Sequence, residues 1–415
     1  MNQSTQPPSQ ATGALAGLRV IDLTQMLAGP FCTQILADHG AEVIKVEAMS
    51  GDGTRSTGPF RDDDTLRDFG GYFQSVNRNK QSIAVDLKNP QGREIVRRLI
   101  DGADIVVENF RAGVMERLGL SYEQLRETNP RLVYGAVRGF GDPRSGASPY
   151  ADWPAYDVVS QAMGGMMGIT GPDRETPTKI GPGVGDTVPA LMLCLGILAA
   201  VYRARETGEG QFVDVAMTDC VLAMCERIVY QRSYTGVVSA PEGNRHPLLC
   251  PFGLFRARDG WVSIACAHDG FWEKLAHAMD RPDLITDPAF ATNAARVTNA
   301  QRVIDTIEGF TSVRTKEELA QCLGSRVPFG PVYTSAEIFA DPHYQVREML
   351  VDVEQPGSSE PVKIAGVPIK LSRTPGAVRH RAPLLGEHTA DILLRAGYAL
   401  DDIQQMRDSG TVRQA

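Results

Sequence analysis

Asp186 closes the run Gly181-Pro182-Gly183-Val184-Gly185, immediately before an apolar stretch that continues to Tyr202. Alternate glycines beside a carboxylate leave a backbone without side chains, so a ligand can approach the acid and bare N–H groups can meet an anion. As residue types alone, this pattern has two readings. Asp186 caps the helix that follows, with Pro189 in the first turn, or it is a reaction centre at the mouth of that helix. Capping is the commoner fate of such an aspartate. Asp157, which opens the helical segment of AYDVVSQAMGGMMGITG, poses the same choice between cap, hydrogen-bond acceptor and general base.

A second set of residues suits a phosphorylated ligand. In NRNKQSIAVDLK the cations Arg78, Lys80 and Lys88 bracket a short strand, and in VENFRAGVMERLG a strand ends at Asn109-Phe110 before a helix carrying Arg117. An aromatic face with fixed positive charge is what an adenine nucleotide requires, although exposed Lys and Arg also make an ordinary solvated surface. The seven histidines show no HxH or HxxxH spacing, so no metal site is expected. His246, beside Arg245 in GNRHP, is placed to reach a site from a loop. The chain has neither a GxSxG elbow nor a P-loop, and GxGxxG is missing after the first strand.

The elements that must position these residues alternate. A strand (Leu18 to Leu23), a helix (about Phe31 to His39) and a strand (Glu42 to Glu47) make a βαβ unit, and strand-helix-strand recurs through Phe110. Such alternation implies a parallel sheet, whose ligands gather at the carboxyl ends of the strands. Next come a strand from Leu132 to Val137, a helix from Asp157 running into Gly168, the all-round apolar helix to Tyr202 that reads as a buried core element, and the strand QFVDVAMTD. The texture changes near 231, where Phe252 to Ala257 and Trp261 to Ala265 flank a hairpin turn at Arg258-Asp259-Gly260. Extended segments return after Asp341 and are expected to join the large sheet.

At 415 residues the chain has length for two domains. A net charge of -8 and a pI near 5.5 argue against a general nucleic-acid binder. The seven cysteines form no CxxC pair and read as reduced, and residues 1–15 lack a signal-peptide pattern. The expectation is a cytoplasmic protein that neither spans a membrane nor binds nucleic acid.

Several stretches together resemble the class III CoA-transferase family, which includes formyl-CoA transferase, carnitine CoA-transferase and α-methylacyl-CoA racemase. They are LTQMLAGPFCTQILADHGAEVIKVE, SGDGTR, NRNKQSIAVDLKNPQG, ADIVVENFRAGVMERLGL, GVGD before the apolar helix, TGEGQFVDVAMTD and LGEHTADILLRAGY, spread from Leu18 to Tyr398. The resemblance implies an α/β fold in which a Rossmann-like large domain, formed by both chain ends, carries a smaller inserted α+β domain. The divisions are a tail at 1–15, a large domain at 16–230, linkers and small domain at 231–340, and a returning segment at 341–415. It also implies an interlocked homodimer.

By resemblance Asp186 is the nucleophile. Met26, Leu27 and Ala28 line the nucleotide entrance, Leu87, Lys88, Asn109, Phe110, Arg111, Arg117 and Tyr156 contact CoA, and Asp157 lies near the pantetheine end. The implied reaction moves CoA from an acyl-CoA to a free carboxylic acid through an aspartyl-acyl anhydride and an aspartyl-CoA thioester. No cofactor stays bound; the CoA thioester is a substrate. Formyl-CoA transferase-like members have glutamine at the position of Leu27 and a glycine-rich loop where this chain has GNRHPLLCPFG, which points away from oxalate. Arg245 and His246 suit the far carboxylate of a dicarboxylate or hydroxy acid. A racemase needs two bases, and the strand LVYGAVRGFG offers no histidine. A racemase and a non-catalytic CoA-binding protein are the alternatives.

Overall fold

A computed structural model describes residues 13–415. The expected tail at 1–15 lies outside the described residues up to 12, whereas Leu15 is already tied in, its N–H donating to the His39 carbonyl at 2.9 Å. The chain divides into two compact units. One comprises the described chain up to Met166, Ile180–Glu226 and Pro342–Ala415; the other comprises Met167–Lys179 and Arg227–Asp341. Met167–Lys179 therefore departs from the 16–230 boundary. It folds with the second unit because its polar groups are used there: Gly243 N–H donates to Gly171 O and Arg174 donates to Val238 O, each at 3.0 Å.

In chain order the first unit contains β1 (Arg19–Asp22), α1 (Ala28–Asp38), β2 (Glu42–Glu47), α2 (Gly71–Asn77), β3 (Gln81–Val85), α3 (Pro90–Asp101), β4 (Ile105–Glu108), α4 (Val114–Leu118), α5 (Tyr122–Thr128), β5 (Val133–Arg138), α6 (Asp157–Met163), α7 (Val184–Thr207), β6 (Phe212–Ala216) and α8 (Met217–Met224). Helix α9 (Glu226–Thr235) leads into the second unit. There β7 (Phe252–Ala257) and β8 (Gly260–Ala265) form the expected hairpin, extended by β9 (Phe329–Pro331) and packed on helices around Trp272.

Returning to the first unit, β10 (Leu350–Val353) and β11 (Val362–Ala365) pair with each other and not with the large sheet, contrary to the expectation for the C-terminal strands. Only β12 (Val412–Arg413) joins that sheet, antiparallel to β3. The return is secured by side chains instead: Ile392, Leu393, Ile403 and Met406 enter the core beneath the sheet.

The large sheet has the order β12-β3-β2-β1-β4-β5-β6, and β1 through β6 run parallel. Strand alternation sends Ile21, Ile44 and Val106 to one face and Val20, Val43, Ile105 and Val107 to the other, so each face builds its own core. The strand order reverses between β1 and β4. At such a switch point the following loops part and leave a crevice at the carboxyl ends.

Helix α7 lies on the second face. Ala190, Leu193, Cys194, Ile197, Val201 and Ala204 recur at helical spacing and are buried. Gly135 lets the helix approach β5, since a Cβ there would sit 2.8 Å from Ile197 Cδ1. The remaining face is not buried as the sequence suggests: Leu191, Leu195 and Tyr202 are 49%, 65% and 68% exposed. Helix α6 also ends earlier than expected, at Met163. A Cβ on Gly164 would meet Val221 Cγ1 at 2.5 Å, and Gly165 adopts a positive φ, so the chain turns against α8.

Candidate active site

Two loops meet at the switch point. After β1, Gln25 and Asn109 exchange two hydrogen bonds: the Gln25 N–H donates to Asn109 Oδ1 at 2.9 Å, and Asn109 Nδ2 donates to the Gln25 carbonyl at 2.7 Å. After β4, Phe110 is gripped by its own backbone. Its N–H donates to Glu108 Oε2 at 2.7 Å and its carbonyl accepts from Arg138 Nε at 3.0 Å, while Arg138 also pairs with Glu108 and Asp142. Burial pushes the Glu108 carboxyl up to about 7 against the opposing pull of Arg138. The ion pair therefore serves to fix a loop, since buried pairs seldom add much net stability.

Two cavities share these loops. One, of about 340 Å³, is lined by Asp186 together with Met26, Leu27, Ala28, Asn109, Phe110, Arg111 and Tyr156. The other, of about 400 Å³, is lined by Leu87 and Lys88. Gln25 and Phe110 line both. Arg117 lines neither and is exposed on α4. With CoA at these loops, as the resemblance implies, Phe110→Ala should raise the KM for acyl-CoA at least about tenfold with a smaller change in kcat, and Arg117→Ala should raise it only a few-fold. Steady-state kinetics on the two variants checks the order.

Asp186 is not the cap. Gly183 occupies that position, and Asp186 sits in the first turn with its N–H donating to the Gly183 carbonyl at 3.1 Å. Its carboxyl accepts no hydrogen bond from the described residues; burial pushes it up to about 7, and the Asp157 charge adds to the rise. Asp157 itself lines neither cavity. Its Oδ1 accepts from the Gly185 N–H at 2.8 Å, and both oxygens accept from Gln161 Nε2 at 2.9 and 3.0 Å. Asp157 thus braces the start of α7, where an anion is favoured by the unpaired N–H groups and the helix dipole.

Tyr72 and Trp153 also line the Asp186 cavity and were missed in the sequence. Burial, then the charges of Asp186, Asp52 and Asp157, push the Tyr72 phenol up to about 12, so it remains a proton donor. The one local sign of Tyr72 is Gly70-Gly71 before it, where a Cβ on Gly70 would lie 2.0 Å from Thr57 O. Arg245 and His246 lie in the second unit, lining a cavity of about 700 Å³ with Phe252, Trp261 and Gln301. Arg245 donates to Gln301 Oε1 at 2.6 Å, and His246 Nδ1 accepts from the Leu248 N–H at 3.1 Å, which assigns the ring proton to Nε2. Among the described residues no group of three or more His, Cys, Asp or Glu gathers to hold a metal.

Residues 15–389 match the description CoA-transferase family III. The chain belongs to CoA-transferase family III. It is 50% identical over 385 residues to a succinyl-CoA:mesaconate CoA-transferase of Haloarcula hispanica, covering 93% of this chain and 97% of that protein. It is 38% identical over 410 residues to a succinyl-CoA–D-citramalate CoA-transferase of Chloroflexus aurantiacus, covering 97% and 98%. A crystal structure of a CAIB/BAIF family protein from Brucella suis superposes with a TM-score of 0.82 at 36% identity, covering 93% of this chain and all of that one. As a family III CoA-transferase, this protein is an enzyme whose substrates are CoA thioesters and carboxylic acids.

Proposed function

We propose that Asp186 is the nucleophile of a CoA-transferase acting on small dicarboxylic acids. The observation that carries this reading is the carboxyl itself, in the first turn of α7, facing a cavity with no hydrogen bond from the described residues. The ionised carboxylate attacks the thioester carbonyl, the C–S bond breaks, and an aspartyl-acyl anhydride and CoA thiolate result. The thiolate attacks the aspartyl carbonyl, giving an aspartyl-CoA thioester and releasing the first acid. The incoming carboxylate attacks that thioester, and the thiolate returns to the new acyl carbonyl, which restores Asp186. Exclusion of water preserves the anhydride, and the backbone at Gly183, which carries no side chain, suits stabilisation of the oxyanions.

In this reading Phe110, Leu87 and Lys88 hold the nucleotide, whereas Met26, Leu27 and Ala28, expected at the nucleotide entrance, share the Asp186 cavity with Asn109, Arg111 and Tyr156 and meet CoA nearer its acyl end. Arg117 acts from the periphery, and Asp157 acts on α7 from beneath. CoA enters and leaves as substrate. The named relatives use succinyl-CoA with mesaconate or D-citramalate, all dicarboxylic, which favours a dicarboxylate here. The exposed row Leu191, Leu195 and Tyr202 on α7 supports an interlocked homodimer, because an apolar helix face of that length needs a cover. The free, reduced cysteines suit the cytoplasm.

Labelled succinate should enter succinyl-CoA without any second acid, as a covalent two-stage mechanism requires. CoA binding without exchange across a panel of dicarboxylates would make the protein a binder and sink the proposal. Light scattering should show a particle of two chains at all working concentrations; a monomer would remove the dimer.

A further inference from the structure

The turn between β1 and α1 contains a backbone conformation that its residue does not favour. Met26 has φ of +68°, the left-handed region in which an L side chain crowds its own peptide. A non-glycine residue stays there only when its surroundings hold it, and such positions cluster where function needs a fixed geometry. Asn109 holds one side, through its pair of bonds to Gln25. On the other side stand Lys45 and Asp52, two buried charges with no place in the transfer chemistry.

Lys45 Nζ, on β2, donates to the Thr24 carbonyl at 2.8 Å and lies 3.0 Å from Asp52 Oδ2. The other oxygen of Asp52 accepts from the Met26 N–H at 3.4 Å, and more closely from the Thr54 N–H and hydroxyl at 3.0 and 2.8 Å. Both side chains of the pair are essentially without exposure. Met26 lines the Asp186 cavity, Lys45 and Asp52 line its neighbour, and Gln25 lines both. The turn is thus the partition between the two cavities, tied to β2 by Lys45, to the 48–57 loop by Asp52 and to the end of β4 by Asn109.

We infer that Lys45 and Asp52 are positioning residues that hold Met26 in its left-handed turn, and so set the wall between the nucleotide cavity and the Asp186 cavity. Without the acceptor on Asp52 the Met26 peptide is free to rotate to negative φ, which carries Gln25 away from both cavities and Leu27 away from the Asp186 cavity. A glycine at 26 occupies positive φ without crowding, so it has much less need of Asp52. The prediction follows from this dependence and does not require Asp186 to be the nucleophile.

The test is a double-mutant cycle on the full-length protein, read by calorimetric affinity for free CoA and by succinate exchange into succinyl-CoA. Asp52→Ala should weaken CoA about thirtyfold in the native background, but only about threefold in a Met26→Gly background. Asp52→Asn keeps one acceptor but must turn its amide nitrogen toward Lys45 or toward Met26 and Thr54, so it should cost about tenfold in the native background, between native and Asp52→Ala. Equal costs of Asp52→Ala in the two backgrounds would mean that Asp52 touches CoA or supports the fold without acting through Met26, and would overturn the inference. Asp52→Asn as harmful as Asp52→Ala would also overturn it. Should Asp52→Ala fail to fold, Met26→Gly is expected to restore folding, and continued failure counts against the inference. If native protein binds CoA but exchanges no succinate, the proposed dicarboxylate activity fails while the CoA arm still decides this one.

Discussion

Asp186→Asn is expected to abolish CoA transfer, by about 10⁴-fold or more, while leaving a folded protein. An amide matches the carboxylate in shape but does not attack a thioester, and no hydrogen bond from the described residues depends on the charge. Peptide mass after incubation with acyl-CoA should show an adduct at Asp186 in the native protein and none in the variant. Retained transfer, after excluding deamidation, would move the nucleophile elsewhere. In the free native enzyme, kcat/KM for acyl-CoA should fall about tenfold per pH unit below about 7, as Asp186 takes a proton.

The same substitution should raise stability, in a direction set by linkage. The folded-state carboxyl titrates near 7 against 3.8 ordinarily, so the folded protein holds this proton more tightly than the unfolded chain. Below the lower value both states are protonated and Asp186 costs nothing; the cost builds as pH rises and is complete above about 7. It is on the order of 2–4 kcal/mol once solvent screening is allowed for. Asp186→Asn should therefore melt a few degrees higher than native protein at pH 8, with the gap closing toward pH 4. Equal gaps at both ends would show that the carboxyl is not displaced.

Gly185→Ala is expected to lower kcat about 10²-fold with KM for acyl-CoA changed much less. Its Cβ would fall 2.5 Å from the Asp157 carbonyl oxygen and 3.0 Å from Asp157 Cα, atoms of the backbone that have little room to yield. Relief requires α7 and α6 to part, which breaks the bond from the Gly185 N–H to Asp157 and displaces Asp186 on the next residue. Gly183→Ala should cost less, because its Cβ would be crowded only by the flexible end of the Leu27 side chain, at 3.2 Å, and would meet Asp157 at an ordinary 3.8 Å. If the two variants lose activity equally, the brace from Asp157 is not what positions the nucleophile.

What the sequence determined by itself rests on short-range pattern. Alternating strands and helices require a parallel sheet, Gly183-Val184-Gly185-Asp186 marks the start of α7, and ordered motifs indicate the family; each is legible within a few dozen residues. Tertiary structure separated the surroundings of the two acids. As letters, Asp157 and Asp186 are alike, yet one spends both oxygens on Gln161 and Gly185 while the other is left without a hydrogen bond from the described residues and is pushed up to about 7 by burial. Tyr72, Lys45 and Asp52 carried no local mark strong enough to place them at the cavities, since a position there depends on neighbours tens of residues distant. Arg117 stands apart: the family resemblance implied a contact with CoA, and the helix leaves it exposed outside both cavities. The apolar circumference of α7 was equally ambiguous, because hydropathy records that a face must be covered but not by what, and within this chain only one face is. Burial and charge coupling are properties of surroundings assembled from distant segments, so the roles of identical side chains separate only when the chain is folded.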